Sequence, residues 1–230
     1  MPLIEFDSVS HAYAVSGGER TVLSDVSVSL TEHRIGVIGA NGSGKSTFAR
    51  MVNALVVPRA GKVRVDGLDT GREARAIRRR VGFCFTDPDA QIVMPTVAED
   101  VAFGLRRHRL TKQEVAARVD AALEAYGLQE HRDHPAHLLS GGQKQLLALA
   151  SVLVTDPDVV VMDEPTTLLD LVNARRVRDV VASLRQQVIL VTHHLDLLDD
   201  FDRVLVFHDA RLRFDGSPHE AVAAYQRLVL

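Results

Sequence analysis

At 230 residues the chain is long enough to bury a full core, as one large domain or as two lobes. A formal charge of −3 carries no basic excess of the kind that marks a nucleic-acid binder, so no nucleic-acid partner is expected. The single cysteine excludes an internal disulfide framework, and no apolar stretch approaches the roughly 20 residues of a membrane span. Without a charged-then-apolar leader either, the expectation is a soluble cytosolic protein that reaches a membrane only through a partner.

Residues 3–9 alternate as a strand does, and Val22 to Leu30 alternates again after the loop Ser16-Gly17-Gly18-Glu19. In the second strand Val26, Val28 and Leu30 point inward and Ser27 and Ser29 outward. Tyr13, between the two strands, could stack on a purine base or simply pack half-buried. Ile35 to Ile38 reads as a buried strand and runs into Gly39-Ala40-Asn41-Gly42-Ser43-Gly44-Lys45-Ser46-Thr47, which fits G-x-x-x-x-G-K-[ST]. Phe48, Met51, Val52 and Leu55 follow at helical spacing, so the loop joins a strand to a helix, the context a phosphate-binding loop requires. Gly39, Gly42 and Gly44 let the backbone turn its N–H groups toward phosphates, and the helix N-terminus adds its positive dipole end. Lys45 would reach the β- and γ-phosphates of a nucleoside triphosphate, and the Ser46 hydroxyl would take a Mg²⁺ position.

Gly61 to Asp66 is a further alternating strand that ends in the turn Asp66-Gly67. Arg72, Arg75, Arg78, Arg79 and Arg80 read as a solvated helix face. Val81 to Phe85 is a strand containing Cys84 as a buried small side chain, and Thr86-Asp87-Pro88-Asp89-Ala90-Gln91 is a loop. Thr111 with Glu114 forms a capping box, Val115, Val119, Ala122, Leu123 and Tyr126 line one helical face, and Gly127 closes it. His131, His134 and His137 fall in a polar stretch; no carboxylate or cysteine pattern completes a metal site there, and a solvated loop accounts for them. Leu139-Ser140-Gly141-Gly142-Gln143 opens a second, more apolar helix that runs to Val154, with exposed N–H groups suited to an anion.

Val159 to Met162 is an apolar run that delivers Asp163 and Glu164 to the edge of a parallel sheet. Asp163 is placed to hold Mg²⁺, and Glu164 to orient or deprotonate an attacking water. Val188 to Thr192 is another such strand, ending at His193. Val204 to Phe207 and Arg211 to Phe214 form a hairpin around Asp209-Ala210, and Ser217-Pro218-His219-Glu220 is again a capping box, with proline at the first helical position.

Phosphate loop, Leu139–Gln143 and the Asp163-Glu164 strand follow one another in the order of the ATP-binding cassette ATPases, which the chain resembles nearly end to end. The resemblance implies an α/β fold of the P-loop NTPase type: a RecA-like core, an antiparallel β subdomain and an inserted helical subdomain. It would be one domain, with 1–85 and 155–230 as nucleotide core and 86–154 as the helical part. In that family two nucleotide domains face head to tail, so Ser140, Gly141, Gly142 and Gln143 of one subunit would meet the ATP held by Lys45 of the other. The resemblance further implies adenine stacking on Tyr13, an interface role for Asp170 and a γ-phosphate contact for His193.

The run from Phe85 to Ile92, then Pro95 to Gly104, and the continuation Gln143-Lys144-Gln145 are similar to the energy-coupling-factor (ECF) type. The implied function is ATP hydrolysis that powers micronutrient uptake, with biotin favoured over another vitamin or cobalt or nickel. The implied partners are a transmembrane coupling protein, a small substrate-binding membrane protein and a second ATPase, identical or not, on the cytoplasmic face of the membrane. Thr86 departs from the pattern: it stands where the family carries a Mg²⁺-ligating glutamine and keeps one oxygen on a shorter side chain. Two other readings stay open, the ATPase of a conventional importer or exporter and a soluble cassette ATPase acting on nucleic acid or ribosomes.

Overall fold

The computed structural model of the protein describes residues 1–229. It divides into two compact units, one made of Met1–Phe83, Asp158–Glu164 and the chain from Leu184 onward, the other of Cys84–Pro157 and Pro165–Ser183.

The first unit holds two sheets. Strands β1 (Ile4–Val15), β2 (Gly18–Leu30), β4 (Ala60–Val65) and β5 (Leu68–Asp69) form an antiparallel sheet in the order β2-β1-β4-β5. Strands β3 (Arg34–Gly39), β6 (Val81–Cys84), β7 (Val159–Asp163), β8 (Gln187–Val191), β9 (Arg203–His208) and β10 (Arg211–Gly216) form the other, ordered β10-β9-β3-β8-β7-β6. In this sheet β3 runs parallel to β8 and β9, and β7 parallel to β8, while β10 returns antiparallel to β9. β7 and β8 are buried along their whole length, which is why they read as continuous apolar runs rather than alternating ones.

Helix α1 (Lys45–Val52) carries the core between the sheets: Phe48 is fully buried, stacked on Phe6 of β1 at 4.2 Å and tilted against Phe207 of β9 at 5.0 Å between ring centroids. Leu55, which the periodicity places on the same face, lies beyond the helix end and is exposed, because Asn53 caps the helix and Ala54 turns into the left-handed region.

The first hairpin is longer than its alternation suggests. β1 continues to Val15, so Tyr13 lies on a strand opposite Arg20 of β2, not in a connection. Register shifts between Phe6 and Ala12 break the period-two pattern and hide the continuation. Helix α2 (Ala74–Arg80) bears most of the arginine cluster, of which two members are structural rather than solvated. Arg78 donates to the carbonyls of Asn53 and Ala54, and Arg80 pairs with Asp66 and Asp158. The unit closes with helix α7 (Pro218–Val229).

The second unit is helical: α3 (Val97–Leu105), α4 (Lys112–Ala125), α5 (Gly141–Leu153) and α6 (Leu171–Ser183). Capping boxes open the first three, at Thr96 with Glu99, Thr111 with Glu114 and Ser140 with Gln143. Asp100 of α3 is buried and fully used, accepting from the amides of Val93 and Met94 and from the Ser151 hydroxyl. The sequence places all of 155–230 in the nucleotide core, whereas 165–183 falls in the helical unit because α6 packs on α5.

Phe48→Ala is expected to destabilise the fold by about 3–5 kcal/mol, the usual cost of emptying a large aromatic site between packed layers. Urea denaturation followed by circular dichroism reads this out; a midpoint equal to that of the unsubstituted chain would contradict the packing role.

Candidate nucleotide site

The loop between β3 and α1 is shaped by three glycines with positive φ: Gly39 (148°), Gly42 (79°) and Gly44 (105°). At two of them the backbone is approached too closely for any side chain. A Cβ on Gly39 would lie 2.1 Å from the Phe207 carbonyl oxygen, and one on Gly44 2.1 Å from that of Val22. The loop folds on itself through the Ser43 amide donating to the Ala40 carbonyl at 3.2 Å. Lys45, only 6% exposed, donates from Nζ to the carbonyls of Gly39 (2.8 Å) and Ala40 (3.1 Å). Burial lowers its pKa, and the nearby carboxylates of Glu164 and Asp163 oppose that shift. The result is a cation held in a pocket of converging backbone dipoles.

Ser46 opens α1 and donates its hydroxyl to Asp163 Oδ1 at 2.9 Å. Asp163 ends β7 at 1% exposure; burial raises its pKa, opposed by the Ser46 hydrogen bond and by Arg50, whose guanidinium lies 3.5 Å from Oδ2. A hydroxyl and a carboxylate side by side at the mouth of a phosphate loop are hard oxygen donors. That set suits Mg²⁺, which takes one or two protein oxygens and fills its octahedron with phosphate oxygens and water. The residues present therefore fit the ion.

Glu164 follows at φ 55°, a left-handed conformation that a glutamate adopts only at a cost of about 1–3 kcal/mol. Its amide donates to the Val191 carbonyl at 2.9 Å, so the turn leaves the sheet with its ladder intact. The side chain meets His193 at the end of β8: His193 Nδ1 lies 2.6 Å from Glu164 Oε2, and its amide donates to the same oxygen at 3.3 Å. Carboxylate and imidazole are thus already a pair at adjacent strand ends.

A cleft of about 400 Å³ lies over this arrangement, lined by Tyr13, Arg20, Asn41, Lys45, Thr47 and Glu164 among others. Tyr13 is 40% exposed, and its hydroxyl is 3.4 Å from Thr47 Oγ1, so its ring stands beside the loop rather than in the core. Tyr13, Gly39–Thr47, Asp163, Glu164 and His193 therefore come together in one unit.

The remaining predicted residues fall in the helical unit. Ser140 caps α5, accepting from the Gln143 amide while its own amide donates to the Gln143 side chain at 2.9 Å. Gly141 is open, with nothing within 4 Å of where a Cβ would stand, whereas a Cβ on Gly142 would strike the Asn173 side chain at 2.2 Å. Asn173 is in turn held by Asp170, which accepts its amide (2.8 Å) and its Nδ2 (3.1 Å). Leu168, Leu171 and Val172, beside Asp170, are strongly exposed. Thr86 is half-buried in the bend after β6. Gln91 is committed elsewhere, accepting from the Phe85 amide and donating to the Ala148 carbonyl, each at 3.0 Å. Cys84 is fully buried, its thiol pushed up to about 12 by desolvation, and has no place in the chemistry.

Arg50 and Arg20 were not indicated by sequence. Arg50 reaches Asp163 across a large sequence separation, and only the hairpin register brings Arg20 opposite Tyr13. Neither contact leaves a local pattern to read.

The parallel sheet, the glycine loop at a helix N-terminus and the paired Ser46–Asp163 oxygens define a phosphate-loop nucleotide-binding protein. The family model for the ABC transporter matches residues 23–167. A Deinococcus radiodurans protein, named only as an ABC transporter ATP-binding protein, is 56% identical over 97% of each chain. The biotin transport ATP-binding protein BioM of Rhizobium etli is 45% identical over 98% of each chain. Among solved structures, cbiO1 from Clostridium perfringens, part of the ABC transporter complex cbiONQ, superposes with a TM-score of 0.81 at 30% identity, covering 96% of this chain and 90% of that one. The chain belongs to the ABC transporter ATP-binding family and is an ATPase.

Gly44→Ala is expected to weaken ATP binding by at least tenfold, since the added methyl would meet the Val22 carbonyl at 2.1 Å and the Leu23 side chain at 2.8 Å and must displace the loop. Calorimetric titration with ATP checks this, and an unaltered affinity would refute the loop as the binding element.

Proposed function

We propose that the chain is the ATP-hydrolysing subunit of an ECF-type uptake transporter, with biotin as the transported solute. The observation that carries the ATPase mechanism is the Glu164–His193 pair at 2.6 Å, standing over Lys45 and the Ser46–Asp163 oxygens. In this reading the loop amides and Lys45 bind the triphosphate, and Tyr13 stacks on the adenine. Ser46 and Asp163 hold Mg²⁺, which supplies neutralisation of phosphate charge when bound. Glu164 accepts hydrogen from the attacking water and takes its proton; the water oxygen bonds to the γ-phosphorus as the bond to the β-bridging oxygen breaks and ADP leaves. His193 fixes the Glu164 carboxylate and offers its other ring nitrogen to the γ-phosphate. Ser140, Gly141, Gly142 and Gln143 meet the nucleotide of a second ATPase subunit, and the exposed Leu168, Leu171 and Val172 beside Asp170 are suited to that interface.

The transport assignment is supported by relatives named as biotin transport ATP-binding proteins at 45% and 41% identity and as ECF transporter ATP-binding proteins at 44%. No helix among the described residues is long and apolar enough to cross a membrane, so the reading places the chain peripherally, on a transmembrane coupling protein that also carries a substrate-binding membrane protein. Purification from native membranes in mild detergent is expected to recover both proteins, and the small one is expected to bind biotin. Recovery of soluble partners alone would overturn the transporter reading, and binding of a different vitamin or of cobalt would overturn the solute.

Glu164→Gln is expected to retain ATP binding, to lower turnover by on the order of 10²–10⁴, and to accumulate an ATP-bound dimer. Steady-state phosphate release and gel filtration with ATP measure both effects; turnover at the unsubstituted rate would remove Glu164 from its role.

A further inference from the structure

One continuous hydrogen-bond chain joins the 3-10 turn Gln129–His131 to the start of α5. The Ser140 amide donates to Gln143 Oε1 at 2.9 Å, which fixes the amide's orientation and turns its Nε2 outward. That Nε2 lies 2.7 Å from Nε2 of His131. An amide nitrogen only donates, so His131 Nε2 must accept and carries no proton. The proton of a neutral His131 then sits on Nδ1, which lies 2.8 Å from Nδ1 of His134. His134 accepts there and keeps its own proton on Nε2.

We propose that His131 is a positioning residue for the signature helix. As its Nδ1–H tautomer it holds Gln143 in the capping box that aims Ser140. The functional consequence rests on the reading of Ser140 as a contact to the second subunit's nucleotide. A second proton on His131 would set N–H against N–H at Gln143, so the capping amide must turn away or detach. The contact is therefore complete only while His131 Nε2 is free to accept from Gln143.

The charged neighbours are otherwise engaged. Arg132 pairs with Asp120 of α4 and Lys144 of α5 with Asp89, while Glu130 and Asp133 flank the pair in the chain. From α3, whose first turn donates to the carbonyls of residues 132 and 134, Glu99 folds back on Thr96 and Asp100 is buried in its own bonds.

Long-range ¹H–¹⁵N NMR of the full chain at about pH 8 is expected to find His131 protonated at Nδ1, the less common tautomer of free histidine. Protonation at Nε2 overturns the assignment whatever the activity. His131→Gln keeps an acceptor that does not titrate, and His131→Leu removes it. At about pH 8 the leucine variant is expected to hydrolyse ATP about fivefold more slowly, the worth of one neutral hydrogen bond, with nucleotide affinity unchanged and the glutamine variant restored. A leucine variant as fast as the unsubstituted chain, or a glutamine variant that restores nothing, overturns the positioning role. Ser140→Ala turning over at full rate would instead defeat the signature reading, with the tautomer measurement still deciding the His131 bond.

Discussion

The site depends on a loop wedged between two sheets. Gly39 presses on the Phe207 carbonyl of the mainly parallel sheet, and Gly44 on the Val22 carbonyl of the antiparallel one, each with no room for a methyl group. The loop is therefore positioned from both sides at once, and its open amides keep their direction without any side chain in the cleft spending conformational freedom. Phe48, one turn into α1, repeats the arrangement in the core by touching Phe6 of one sheet and Phe207 of the other. Binding geometry and hydrophobic packing are held by the same two layers.

Electrostatics follow from that placement. Lys45 and Asp163 are both withdrawn from water, and in both burial works against the charged form while the partners around them restore it. Each is part of the other's environment. Glu164 stands differently. It is turned into a left-handed backbone at the strand end, which carries its carboxylate out to His193 instead of inward beside Asp163. Two adjacent acids are thereby separated into one buried beside Ser46 and one that reaches His193.

Most of this was legible in sequence because it is local. The glycine loop, the acid pair after an apolar run and the capping boxes at Thr111 and Ser217 are each written within a few residues. What escaped was either irregular or long-range. Bulges between Phe6 and Ala12 concealed that Tyr13 lies on a strand, and Arg78 and Arg80 resembled a solvated face until their partners in other elements were seen. Helices α3 and α6 had readable starts, the box Thr96–Glu99 and the Asp170–Asn173 cap, but the first sits in a run read for its resemblance rather than its pattern. The parting of residues 165–183 from the nucleotide core follows from packing on α5, which no local pattern encodes.

The two glycines that open α5 are not equivalent. Gly142 is fixed from within its own subunit, because Asn173, tethered by Asp170, occupies the space where a side chain would go. Gly141 faces open space. A loss of activity on replacing Gly142 thus carries no information about what another molecule brings to this surface, since the internal clash comes first. A side chain at Gly141 would enter open space, whereas one at Gly142 would first have to displace Asn173 and the segment that bears it.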